Sequence, residues 1–219
     1  LLRMRSVESG KEDFFNACVD VGRLLGHRII REQSTCFDVT LSATGVRVKH
    51  VVTALNPVLV TVLRGGLPLH QGLLGVFREA PVGYLCTERE EETNKPFISR
   101  GSLPEGIEGR VVIITDTMLA SGESMIAAVK AIEAYLPERI IVAVGVSYAQ
   151  GLVKLMNCYP GVSLFTAALD YERRSDGVVL PGLADAGDRA FGAEMTALAM
   201  LKELTYAESH ATFLEDEES

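Results

Sequence analysis

The chain has 219 residues, of which 47% are hydrophobic and 23% charged, with a mean hydropathy of +0.20. That is ample apolar material for a packed core and excludes global disorder. Its 21 Lys and Arg against 29 Asp and Glu give a net charge of −8 and a pI near 5.1, a surface that repels polyanions, so nucleic acid is not an expected partner. No apolar stretch approaches the roughly 20 residues needed to cross a bilayer, and the opening LLRMRSVESG lacks a secretory apolar region, so the expectation is one soluble cytoplasmic domain over 1–219 with no membrane partner.

Between Glu12 and Arg31 the apolar residues Phe14, Phe15, Val19, Val21, Leu24, Leu25 and Ile29 recur at three- and four-residue steps, which predicts one N-terminal amphipathic helix over 12–31. The stretch from Ser34 to Asn56 carries only a weak pattern of short strands and loop. From Val58 the order becomes regular: VLVTVL, a Gly-Gly turn and LPLHQGLLGVF; VVIIT from Val111, a loop and MIAAVKAIEAYL; RIIVAVGVS from Arg139 and AQGLVKLMNCY; then VSLFTAALD, ending at Asp170. Short β-branched runs alternate with helical ones, and the runs are apolar throughout rather than at every second residue. The prediction is an α/β core over 58–170, a parallel sheet flanked by helices. Ligands of such sheets sit beyond the carboxyl ends of the strands, so the residues after each strand are where chemistry is sought.

Two segments break the rhythm. Residues 87–109, TEREEETNKPFISRGSLPEGIEG, are too polar and too rich in Gly and Pro for core and too long for a routine connection, which marks a flexible flap over a site. GLADAGDRAFG, from Gly182 to Gly192, has neither helical nor strand period, and alone reads as a Gly-rich surface loop. The tail at 215–219, EDEES, is a like-charge run expected to be solvated. Cys18, Cys36, Cys86 and Cys158 are far apart and mostly within apolar runs, the pattern of buried thiols in a reducing compartment rather than a metal or redox site. His27, His50, His70 and His210 stand singly in helical or loop context, where a structural role is the ordinary one.

The strongest chemical signal is VVIITDTMLASGESMIAAVKAI: strand, acid, small-residue loop, helix. Asp116 at the strand end offers a carboxylate to the vicinal hydroxyls of a sugar. Ala120 to Ser124 then open a helix, so backbone N–H groups and the hydroxyls of Ser121 and Ser124 are placed to hold a phosphate at the positive helix end. An ordinary βα turn with Ser as N-cap gives the same pattern. It is not a Walker loop, because the Gly-Lys-Ser/Thr ending is absent.

DTMLASGES resembles the signature for phosphoribosyl pyrophosphate (PRPP) of the uracil phosphoribosyltransferase family, usually written DPMLATGGS. Three further segments follow in the family's order: TVLRGGLPLHQGLL resembles its VLRAGL segment, CTEREEE its YR-[ND]-EE segment, and LPGLADAGDRAFG its PGLGDAGDR-x-FG segment. The resemblance covers roughly Val58 to Gly192, and its last motif marks uracil-using members. It implies a type I phosphoribosyltransferase core with a small C-terminal base-binding hood at 176–192 and the flap. The implied reaction joins uracil to PRPP, giving UMP and pyrophosphate. Carried over residue by residue, Arg64 and Arg89 contact pyrophosphate. Asp116, Thr117, Met118, Leu119, Ala120, Ser121, Gly122, Glu123 and Ser124 hold ribose 5-phosphate. Val179 and Ala184 to Ala186 line the base, and Asp185 reaches PRPP; Asp116, Arg64 and Asp185 form the catalytic set. Mg²⁺ is implied through PRPP and water, with no direct protein ligand. A homodimer or larger assembly and a nucleotide effector such as GTP are also implied.

The departures from the family pattern are Glu123 for Gly, Thr117 for Pro, Ser121 for Thr, Ala184 for Gly, and Val178 where an aromatic is common. Glu123 sets a negative charge beside the proposed phosphate, from which follows the expectation that Glu123→Gly raises PRPP affinity. The alternative readings are a phosphoribosyltransferase-like nucleotide-binding regulator and a non-catalytic partner subunit with weakened PRPP binding.

Overall fold

The computed structural model describes residues 1–32, 35–53, 55–90, 92–93, 95–175 and 177–192, with backbone alone at 35–36 and 51–53; the acidic tail, His210 and residue 176 lie outside them. The chain opens with the short helix α1 (Leu2–Arg5), whose Met4 is buried, and the long helix α2 (Lys11–Glu32), which is the helix expected over 12–31. Phe14, Ala17, Cys18, Val21, Leu25 and Ile29 form its buried face. Leu24 belongs to the opposite side and is 69% exposed, contrary to its inclusion in the apolar stripe.

Strands β1 (Thr35–Leu41) and β2 (Arg47–Thr53) then form an antiparallel hairpin, with Thr35 opposite Thr53 and Leu41 opposite Arg47. This is more regular than the short strands and loop expected there. Phe37, Val39 and Leu41 alternate along β1 but face solvent, so the hairpin carries no signal of burial to read.

The core follows as β3 (Val58–Leu63), α3 (Leu67–Val76), β4 (Val82–Arg89), β5 (Pro96–Ser102), β6 (Val111–Leu119), α4 (Glu123–Glu133), β7 (Arg139–Tyr148), α5 (Ala149–Cys158) and β8 (Ser163–Asp170). These strands make a six-stranded sheet in the order β5-β4-β3-β6-β7-β8, parallel except for the edge strand β5. Both faces are covered, which is why the strands read as unbroken apolar runs. Val60, Val62, Ile114, Val142 and Val144 pack with Met125, Val129 and Leu155 of α4 and α5. Leu59, Ile113, Ile141 and Ala143 pack with Ile29, Leu73 and Phe77 on the side of α2 and α3. Each such aliphatic side chain contributes on the order of 1.5–3 kcal/mol by leaving water.

Residues 87–109 do not form an irregular flap throughout. Thr87–Arg89 finish β4, and Pro96–Ser102 turn back on it as β5, with a bulge between Cys86 and Thr87. Ile107 is buried in the core and the Gly109 N–H donates to the Leu136 carbonyl, so the end of the segment is fixed. Its polar side chains reflect a sheet edge with one wet side rather than a lack of structure.

Past β8 come the two-residue strands β9 (Glu172–Arg173) and β10 (Val179–Leu180), a turn, and α6 (Ala186–Phe191). Leu183 and Ala190 of this segment pack against Met4, Phe14 and Leu25. Arg189 donates to the carbonyls of Met4, Ser6 and Leu183, with its guanidinium 4.2 Å from the centre of the Phe14 ring. Arg5 grips Asp170 with two hydrogen bonds of 2.7 and 3.1 Å, and Asp170, 4% exposed, also accepts from the Gly182 N–H at 2.9 Å. The segment beyond the sheet is therefore held by the N-terminus. Among the described residues no helix is long and apolar enough to cross a membrane. The thiols differ from expectation: Cys18 is buried, Cys86 half-buried and Cys158 exposed, while the Cys36 side chain lies outside the description.

Candidate functional site

The site begins where β6 outruns its neighbour. β3 pairs with β6 as far as Thr61 and Thr115 and stops at Leu63, whereas β6 continues beside β7 to Leu119. Asp116 is thus inside the strand, not just past its end as the sequence implies, and that side of β6 has lost its partner and opens into a cleft. Asp116, Met118 and Ala120 are half-buried along the cleft, and Leu119, though buried, also lines it. Thr117 is buried and is not among the lining residues; its hydroxyl donates to the Gly65 carbonyl and fastens the turn that follows β3.

Two cavities meet at Asp116 and Met118, which line both. The larger, about 580 Å³, also touches Arg64, Gly65, Cys86 and Thr87 on one side and Ala184 to Asp188 on the other. The smaller, about 100 Å³, is a cradle lined by Arg89, Leu119, Ala120, Ser121, Gly122, Ser124 and Met125 at the start of α4. The N-cap of this helix is Gly122, which has no side chain to offer, at φ 79°, a conformation glycine adopts without strain, and the Ser121 hydroxyl accepts from the Glu123 N–H at 3.4 Å. A Cβ on Gly122 would also stand 2.6 Å from the carbonyl oxygen of Gly151 in α5, and one on Gly151 would stand 1.9 Å from that of Ala120. Gly151 was not singled out in the sequence, although a glycine inside a helix is the available sign of close approach.

Burial at the cleft floor pushes the Asp116 carboxyl up to about 7; N–H bonds from Thr117 and Met118 oppose this, and the nearby Asp185 carboxylate adds to it. Asp185 caps α6, accepting from the Asp188 N–H at 2.8 Å. Arg64 extends from the turn after β3, donating to Asp188 at 3.0 Å and to the Gly192 carbonyl at 3.2 Å. Asp188 is a site residue the sequence reading passed over, although it lies inside the quoted motif. Ala184 adopts φ 56°, a left-handed conformation that accounts for the usual glycine there. Val179 is buried and is not among the residues lining the larger cavity.

Glu123, the charged departure, does not fill the cradle. Its carboxylate accepts from Lys154 Nζ at 2.7 Å, and this hydrogen bond holds its pKa below the ordinary range, with burial opposing and Lys154, Arg89 and Lys95 adding attraction. His70 is buried, away from the lining residues, with both ring nitrogens lacking a partner among the described residues. Burial pushes it down to about 4, so the ring is neutral at physiological pH. Another cavity, about 590 Å³ and bordered by Val129, Arg139 and Tyr159, lies at the opposite, amino end of β7 and β8.

A small cradle at a helix start, a carboxylate and an arginine facing an irregular loop, all at the carboxyl end of a mostly parallel sheet, fit the class of type I phosphoribosyltransferases. The sequence matches the uracil phosphoribosyltransferase family over residues 1–193. It is 32% identical over 192 residues to a uracil phosphoribosyltransferase of Dictyoglomus thermophilum, covering 88% of this chain and 93% of that one. It is 35% identical over 202 residues to one from Haloarcula marismortui, covering 87% and 90%. A solved structure of an Aquifex aeolicus protein superposes with a TM-score of 0.79 at 26% identity, covering 88% of this chain and 92% of that one. The chain belongs to the uracil phosphoribosyltransferase family.

Proposed function

We propose that this protein transfers the phosphoribosyl group of PRPP to uracil, giving UMP and pyrophosphate. The observation that carries the reading is the continuity of the two cavities through Asp116, since one substrate can lay its 5-phosphate in the cradle and its anomeric carbon before the 184–188 loop. In the transfer, the C1–N1 bond forms as the bond from C1 to pyrophosphate breaks, through a transition state with oxocarbenium character, and the proton of N1 is lost. No protein nucleophile is needed.

The amides of Ala120 to Ser124 and the positive end of α4 bind the 5-phosphate. Asp116, once ionised, accepts from the ribose hydroxyls. Arg64 exchanges Asp188 for the pyrophosphate, and Arg89, on the cradle wall at the end of β4, faces it from the side of the 5-phosphate, two guanidinium forks that keep their charge throughout. The Ala184–Ala186 backbone offers the fixed donors and acceptors that a pyrimidine edge requires, and rejects bases that leave them unpaired. The hairpin of β4 and β5, with Thr87 at the cleft wall, is the element placed to limit water.

Asp116 and Asp185 are oxygen donors facing the cleft, and no cluster of three His, Cys, Asp or Glu side chains among the described residues could hold a metal. This donor set fits Mg²⁺ bound through PRPP and water, where it would neutralise charge on the pyrophosphate. The same reading includes a cytoplasmic setting, in keeping with free Cys18, Cys86 and Cys158. It also includes an assembly of two or more copies, for which the exposed Phe37, Val39 and Leu41 supply an apolar surface, and regulation by a nucleotide such as GTP.

The test is UMP formation from labelled uracil, PRPP and Mg²⁺, with Arg64→Ala and Asp116→Ala each lowering kcat/KM by on the order of 100-fold or more. Equal turnover by these variants, or none by the native protein, rejects the assignment.

A further inference from the structure

Glu123 places a carboxylate at the first residue of α4, beside the cradle that needs a net positive field. Directed inward, it would compete with the phosphate for the same amides. It is instead held outward by Lys154, and the two side chains, 34% and 49% exposed, meet at 2.7 Å. Lys154 comes three residues after Gly151, so both lie on one face of α5. The first leaves clearance for the Ala120 carbonyl and the second supplies a charge to the residue that follows the turn. One helix face thus addresses the cradle loop at two points, though Lys154 does not line the cradle.

Building on the reading of the cradle as the ribose 5-phosphate site, we propose that Lys154 is a positioning residue for PRPP, drawing the Glu123 carboxylate onto α5 and neutralising it so that the cradle stays open to a phosphate. The depressed pKa of Glu123, due first to the hydrogen bond from Lys154, accords with a standing ion pair, and Arg89 and Lys95 reinforce it at longer range. A charge that the signature elsewhere avoids is thereby tolerated through a partner outside the signature.

The experiment is a double-mutant cycle on PRPP. Lys154→Ala releases an uncompensated carboxylate next to the phosphate and raises both the KM for PRPP and its calorimetric Kd by about fivefold, the cost of one repulsion in a largely solvated setting, with kcat unchanged. Lys154→Arg stays within about twofold of native. Glu123→Ala lowers the KM by about twofold, and adding it to Lys154→Ala removes most of the loss. A Lys154→Ala protein that binds PRPP like the native one overturns the proposal, as does a double variant as weak as Lys154→Ala, which would make the lysine a structural support only. Native protein that binds PRPP but forms no UMP defeats the proposed reaction alone, since the binding cycle still reads the ion pair. Native protein that fails to bind PRPP defeats both.

Discussion

Asp116 combines a costly location with a charge that the proposed reaction uses, and Asp116→Asn separates the two. In the folded protein its carboxyl titrates near 7 against an ordinary 3.8, chiefly because the cleft floor desolvates it. Below about pH 3.8 the group is protonated whether the chain is folded or not, so Asn and Asp are equivalent. As the pH rises, the unfolded chain ionises first, and folding opposes ionisation until the pH passes about 7. The stability given by the neutral form is lost progressively between those two pH values. The interval from 3.8 to about 7, at about 1.36 kcal/mol per pH unit, sets a ceiling of about 4 kcal/mol. Because the carboxylate is partly open to cleft water, about 2 kcal/mol is expected, or roughly 4–8 °C in Tm for a domain of this size. Asn retains an oxygen to accept from the Thr117 N–H, so the 2.7 Å bond there survives. The assay is thermal unfolding without PRPP at intervals from pH 4 to 8.5. Asp116→Asn should match the native protein at pH 4 and exceed it increasingly through pH 7, while losing PRPP binding. A difference that does not vary with pH, or a native protein that is the more stable at pH 8, would refute the argument.

Gly151→Ala forces a Cβ to within 1.9 Å of the Ala120 carbonyl, a backbone atom that cannot swing aside. The roughly 1 kcal/mol gained in helix propensity is outweighed by displacement of the cradle, and KM for PRPP should rise about tenfold or more in steady-state assays. Arg5→Met leaves Asp170 buried without its counter-ion and should cost about 3 kcal/mol in denaturant unfolding, with a larger loss of activity as the Gly182 turn loosens. Ala184→Gly relieves a left-handed residue and should stabilise by about 0.5–1 kcal/mol, the entropy of the unfolded glycine offsetting part of the gain; calorimetry checks the sign.

What the sequence could and could not show follows from where each signal resides. β3, β6 and β7 are legible because burial on both faces leaves unbroken apolar runs, and α2 because one of its faces is buried along its length. The β1–β2 hairpin is not, because Phe37, Val39 and Leu41 of β1 point to solvent and imitate a loop of mixed composition. Asp116 reads as a stop after VVIIT, yet the backbone remains extended to Leu119 because pairing with β7 continues after β3 has ended. The supports of the segment past β8 are pairs far apart in the chain, Arg5 with Asp170 and Arg189 with the Met4 carbonyl, and no local pattern can join them. Glu123 shows the limit most clearly. As one letter in a motif it predicts a repelled phosphate, but its meaning depends on Lys154, 31 residues further on, which only the packing of α5 against the α4 turn brings within 2.7 Å. A charged departure inside a signature is therefore best judged by where its countercharge lies in the fold, because the field at the cradle is set by the pair and not by either residue.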